Sequence, residues 1–262
     1  MASEPAYNKR PPNPKELCIS AADLCGRYLF GVDLTNDNGE GYLTKNIEFN
    51  IRKAQLWLQK EIPGLLLFPT QIKSETHDYY LNDYVAYNFI KLFRYPVQSV
   101  ERVAIQFPLA TQTLTFDPSW YRVDSNGAQC QLVPTQGTFS SIVLGQGGNF
   151  LPLFYSGLQQ VPALWQIDYT AGFAKGQIPE DILDIIGLKA SIMPMNIAGD
   201  LIAGAGVASK NISLDGLSQG IVTTASAENT GYTANIKQRE KEITSMLKGL
   251  KEFYTGIQFA VM

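Results

Sequence analysis

Apolar residues recur at helical spacing in three long stretches of the chain. Between 44 and 61, Ile47, Ile51, Ala54 and Leu58 share one stripe, with Lys45, Glu48, Arg52 and Lys53 largely off it. That pattern predicts an amphipathic helix, closed by Pro63-Gly64, with Trp57 beside the stripe as a core or rim aromatic. A second helix is expected over 179–203. Pro179 suits a first helical position, Glu180, Asp181 and Asp184 put negative charge at the positive end of the helix dipole, and Ile182, Ile185 and Ile186 supply the apolar face. Pro194 removes a backbone donor and crowds the preceding turn, which predicts a break or kink near Met193. A third helix runs over 232–255 on Ile236, Ile243, Leu247, Leu250 and Tyr254, with Lys248 and Glu252 spaced to pair across one turn. A shorter helix is expected within 18–30, ended by the turn-forming cluster 33–41.

The period changes in the middle of the chain. The runs 97–107, 114–116, 120–123, 129–133, 140–144 and 164–169 are short, favour strands and are separated by Pro, Gly and Asn clusters, which predicts an antiparallel sheet built from hairpins. Asn126-Gly127 reads as the clearest hairpin turn, of the kind whose two central residues both take positive φ. Residues 203–231 carry no aromatic side chain and are rich in Gly, Ser, Thr and Ala. With Asp215-Gly216 set between Leu214 and Leu217, they read as a projecting loop or hairpin that is either mobile or held by a neighbouring subunit. Residues 1–16, with Pro5, Pro11, Pro12 and Pro14, read as an extended arm.

The pattern therefore predicts an α+β fold: a helical scaffold of about three main helices, an inserted antiparallel β-hairpin region and extended arms. Its expected divisions are an arm at 1–16, an N-terminal helical part at 17–96, a β region at 97–173 and a C-terminal helical part at 174–262, with the projection at about 204–231.

Composition narrows the function. Charged residues make up only 17% of the 262 residues and hydrophobic ones 45%, a profile that fits a folded protein whose surface is partly covered by partners. A net charge of −3 argues against gripping a duplex through its phosphates. No secretory signal and no membrane-spanning run of about 18 apolar residues is expected. Cys18, Cys25 and Cys130 read as reduced, buried thiols.

Candidate chemistry is sparse. His77 is the single histidine, so any Ser-His-Asp or Cys-His mechanism must run through it. Asp33, Thr35, Asp37 and Gly39 bring oxygen ligands together, but the glycine falls one position late for a calcium loop and Thr44 stands where the bidentate glutamate belongs. Gly145-Gln146-Gly147-Gly148 lacks the lysine and helix start of a phosphate loop. The carboxylates of Glu180, Asp181 and Asp184 are placed as helix-start charges rather than as an acid and base pair. No catalytic, cofactor or metal site is expected, and the reading is of a protein that is not an enzyme.

Two stretches carry a resemblance. Trp165-Gln166-Ile167-Asp168-Tyr169-Thr170-Ala171-Gly172-Phe173, followed by Ile178-Pro179-Glu180-Asp181-Ile182, is similar to the strand-turn-helix junction of head-to-tail connector (head-completion or adaptor) proteins of tailed bacteriophages. So is Ile212-Ser213-Leu214-Asp215-Gly216-Leu217-Ser218-Gln219, continuing through Thr223 to Asn229 and Tyr232. The resemblance covers roughly the last hundred residues. It implies a structural protein of the virion neck, assembled in the host cytoplasm, without a cofactor. It further implies a homo-oligomeric ring of about twelve copies that docks under the portal, extends the DNA channel and offers a platform to the next neck or tail protein. Genomic DNA passes through such a ring without sequence-specific binding, and no membrane is involved. Leu214, Asp215, Gly216 and Leu217, with Phe253, Tyr254, Ile257 and Phe259, are the candidate interface residues, the last four alternatively completing the subunit's own core. The rival readings are another virion structural protein, as a tail or baseplate adaptor or a receptor-binding module, and a carboxylate-based glycan hydrolase.

Overall fold

A computed structural model describes residues 16–35, 38–82, 89–106, 113–132, 159–203, 209–214, 217–222 and 232–255. The fold is α+β, and the chain divides into two units. One holds the strands within Pro63–Gln177; the other holds the helices of Asn13–Ile62 and Ile178–Gly256.

In the β unit, β1 (Thr70–Tyr80), β3 (Val97–Gln106), β4 (Thr113–Thr115) and β7 (Gln160–Ala171) form an antiparallel sheet in the order β1-β7-β3-β4. A second sheet has β2 (Phe89–Lys91), β5 (Tyr121–Asp124) and β6 (Gln129–Leu132) in the order β2-β6-β5. β7 is central in the larger sheet, and its residues alternate as a strand with one covered face should: Ile167, Tyr169 and Ala171 are buried, while Gln166, Asp168 and Thr170 between them are only partly covered. The 113–115, 121–124, 129–132 and 160–171 strands meet the sequence expectation. The run 140–144 lies outside the described residues.

β1 and β2 fall inside the span expected to be helical, 17–96, and correct it. β1 hides its strand character because two bulges break its alternation. Lys73 and Ser74 on β1 together face Asp168 on β7, and residues 162–164 on β7 face Asp78 on β1. Each aspartate caps the bulge opposite: Asp168 accepts from the Ser74 N–H at 2.6 Å and Asp78 from the Ala163 N–H at 2.8 Å. Ser74 and Ala163 both hold positive φ, 55° and 48°. A short acceptor aimed at the freed amide is what makes those residues tolerable there.

The 121–132 hairpin corrects a second expectation. Asp124 pairs with Gln129, so four residues form the turn, and its positive φ of 50° sits on Ala128 rather than on Asn126 and Gly127. The Asp124 carboxylate accepts from the Asn126 N–H at 3.1 Å, a local side-chain turn that replaces the tight two-residue form.

The helical unit opens with a single turn, α1 (Ala21–Asp23), that widens into a π-helical turn at Leu24–Tyr28. α2 (Thr44–Glu61), α3 (Glu180–Ala203) and α4 (Thr233–Thr255) follow the predicted spans. α3 packs on both α2 and α4, which explains why its residues are apolar on several sides. Ile47, Ile51, Ala54 and Leu58 of α2, Ile182, Ile185, Ile186 and Ala190 of α3, and Ile236, Ile243 and Leu250 of α4 are buried. Each large member contributes roughly 1.5–3 kcal/mol by leaving water.

α3 continues through Pro194, so of the break or kink expected near Met193 there is no break. Ala190, Met195 and Ala198 around the proline are buried, and this packing offsets the hydrogen bond that Pro194 withholds from the Ala190 carbonyl. By length and composition the 180–201 stretch is also apolar enough to cross a membrane, contrary to the sequence expectation, but most of it is buried in the protein. The small-residue segment contains an antiparallel hairpin, β8 (Ser209–Leu214) with β9 (Leu217–Val222).

Candidate functional site

Around the single histidine, the structure shows how a buried polar cluster arises. Residues 92–95 cross the β unit outside any long ladder, so their backbone N–H groups need acceptors. The Leu92 N–H donates to the Ala128 carbonyl at 2.8 Å and the Tyr95 N–H to the Gly64 carbonyl at 3.1 Å. The Phe93 N–H donates to Glu75 Oε1 at 3.0 Å, and the Arg94 N–H to the Tyr169 hydroxyl at 3.1 Å. That hydroxyl in turn donates to Glu75 Oε2 at 2.6 Å. His77 Nε2 lies 2.8 Å from Glu75 Oε1, and its ring stacks on Phe93 at 4.4 Å. Burial, and then the Glu75 charge, push the Tyr169 phenol far above its ordinary range. The Glu75 side chain is fully buried and both its oxygens are engaged, so the group holds the 92–95 segment in place and presents no opening to a substrate.

Of the remaining candidate carboxylates, Asp184, Asp181 and Asp33 accept hydrogen bonds, and Asp37 lies outside the described residues. Asp184 accepts from the Tyr28 hydroxyl at 2.5 Å. Asp33 accepts from the Thr35 N–H at 2.9 Å and from its hydroxyl, and these bonds hold its carboxyl below the ordinary value. Among the described residues, no three His, Cys, Asp or Glu side chains gather as metal ligands. The 145–148 segment lies outside the described residues.

Of the residues expected at an interface, Leu214 and Leu217 form the last pair of the β8–β9 ladder, so the connection between them is two residues long. Asp215, Gly216, Ile257 and Phe259 lie outside the described residues. Phe253, near the end of α4, is half exposed and meets Tyr254 edge to face at 4.9 Å. Burial, with the Asp181 charge, pushes the Tyr254 phenol up to about 12.

Two surface features of the helical unit were missed in the sequence. The first is a groove of about 350 Å³ between α2 and α3, lined by Asn50, Lys53 and Trp57 on one side and Lys189, Ile192 and Met193 on the other. Lys189 Nζ stands 4.9 Å from the centre of the Trp57 ring, and Met193 is half exposed. The second is Phe30, 87% exposed at the corner of a tight turn in which the Val32 N–H donates to the Leu29 carbonyl at 3.0 Å. Gly31 permits that turn with φ of 77°. The sequence signal was the Phe30-Gly31 pair just past a helix; only the packed structure shows the ring left in solvent.

No protein-family model matches the chain, and no curated protein does. Among solved structures it is similar to a chain from the neck of an empty gene transfer agent (GTA) particle computed with C6 symmetry, at 14% identity and a TM-score of 0.36, over 66% of this chain and 76% of that one. It is also similar to a chain from the virion of a native gene transfer agent particle, at 14% identity and a TM-score of 0.38, with the same coverage. Overlaps this loose leave the functional reading to the chain's own residues.

Proposed function

We propose that the chain is a structural head-to-tail connector subunit of a tailed bacteriophage, one copy of a ring that sits under the portal, extends the DNA channel and receives the next neck or tail protein. The observation that carries this reading is the surface of the helical unit, where Phe30, Leu43, Phe49, Met193, Leu201 and Phe253 all stand exposed. Large apolar side chains at that density on one small unit fit a subunit whose surface is covered on assembly. The resemblance of 165–182 and 212–232 to connector proteins gives the assembly its kind, and His77 with Glu75, Asp184 and Asp33 are engaged in hydrogen bonds within the fold.

The reading is tested by mass. The purified chain, alone and mixed with a portal ring, is measured by light scattering and imaged by electron microscopy. Rings that form on, or bind to, the portal support the connector. A stable trimer indifferent to the portal moves the protein to the periphery of the tail.

A further inference from the structure

We infer that the Phe30 turn of one copy docks into the Trp57–Met193 groove of a second copy, so that the helical unit carries both halves of a head-to-tail contact. The inference deepens the ring reading and rests on it only in expecting the contact to repeat.

The two halves complement each other in shape and charge. A cavity of about 150 Å³ holds a benzene ring, so a groove of about 350 Å³ has room for a phenylalanine ring and the backbone beside it. Residues 30–43 carry Asp33, Asp37 and Glu40 and no lysine or arginine. The groove presents Lys53 and Lys189 and no acidic side chain. Phe30 brings the apolar anchor and Asp33 the charge that meets a lysine at the rim.

Their placement excludes the contact within one copy and favours it between copies. On α3, Gly187 lies against Tyr28: a Cβ built there meets the Tyr28 ring at 2.3 Å. Ser191, one turn on and on the same side, accepts from Arg239, whose other Nη donates to the Tyr28 carbonyl at 2.6 Å. At about 100° per residue, Lys189 and Met193 lie about 200° and 240° around the axis from Gly187. The Phe30 turn, two residues beyond Tyr28, therefore leaves one flank of α3 while the groove opens on the other. A knob and a hole on opposite flanks make a heterologous contact, which a second copy can satisfy and a third can extend.

Two variants separate the halves. Phe30→Glu removes the knob and keeps the groove; Met193→Glu blocks the groove and keeps the knob. Both positions are at least half exposed, so thermal melts stay close to the parent. Full-length Phe30→Glu, labelled with nitrogen-15, is titrated with unlabelled Met193→Glu while the Trp57 indole signal is followed by NMR. The expected result is a saturable shift, with a mass by sedimentation that stops at two copies, and no shift when the added chain carries both substitutions. No shift up to about 1 mM, a concentration that reports even an interaction of about −4 kcal/mol, overturns the inference, as does an equal shift with the doubly substituted chain. The contact is read in free protein and the connector reading on portal mixtures, so either can fail without the other.

Discussion

A Cβ built on Gly172 stands 2.1 Å from the carbonyl oxygen of Phe68. Gly172 has φ of 114°, donates its N–H to the Pro96 carbonyl at 2.8 Å and receives the Gln98 side chain on its own carbonyl at 2.7 Å. No side chain fits this end of β7. Gly172→Ala is expected to cost at least about 3 kcal/mol, from a backbone clash added to a disfavoured φ. Urea denaturation of the purified variant checks it, and a loss below about 1 kcal/mol contradicts the geometry.

Tyr169→Phe deletes one hydroxyl that both donates to Glu75 and accepts from the Arg94 N–H. Both partners are left buried and short of a bond, so a loss of about 2–4 kcal/mol is expected. Glu75→Gln disturbs the same group from the other side. The two losses should be far from additive in a double-mutant cycle, and additive values would mean that the pair is not coupled.

Asp168 governs part of the acid limb of stability. Partial burial works against its charge, but Arg102 Nε at 2.6 Å and the Ser74 N–H outweigh that and hold the carboxyl below its ordinary 3.8. A carboxyl depressed in the folded state contributes fully above its unfolded value and loses that contribution as pH falls through the lower folded one. Denaturation midpoints should therefore fall on acidification below about pH 4, and Asp168→Asn should flatten that part of the curve. An unchanged acid limb in the variant would assign it to other carboxylates.

Gly187→Ala pushes a methyl into the Tyr28 ring and displaces the hydroxyl from Asp184. Tyr28 is partly exposed and can swing aside, so the expected cost is moderate, about 1–3 kcal/mol. The Asp184→Asn variant should lose less, because the tyrosine keeps an oxygen acceptor; thermal melts rank the two.

The helices were legible because their stripes repeat over many turns: Ile47 to Leu58 and Ile236 to Leu250 each point one way for most of a helix. The Asp215-Gly216 hairpin was legible because a two-residue connection has few chemical solutions. β1 was not, because the bulges at Ser74 and opposite Asp78 put polar residues where alternation demands apolar ones, and Glu75 turns inward to serve backbone groups distant in sequence. Pro194 did not break α3, because local propensity yields to packing on two neighbouring helices. The groove left no trace in the pattern, and the Phe30-Gly31 pair marked a turn without showing that its ring is exposed, since exposure of a ring is decided by what fails to pack on it.

Burial also sets the reactivity of two of the three cysteines. Burial raises the Cys18 thiol to about 12, with Gln55 beside it, and the Cys130 thiol in β6 also to about 12. At neutral pH both therefore stay thiols rather than the thiolates that attack disulfides and react with peroxide. Oxidants therefore meet poor nucleophiles at these two positions; of the three thiols expected to be buried, Cys130 is, while Cys18 and Cys25 are only partly covered.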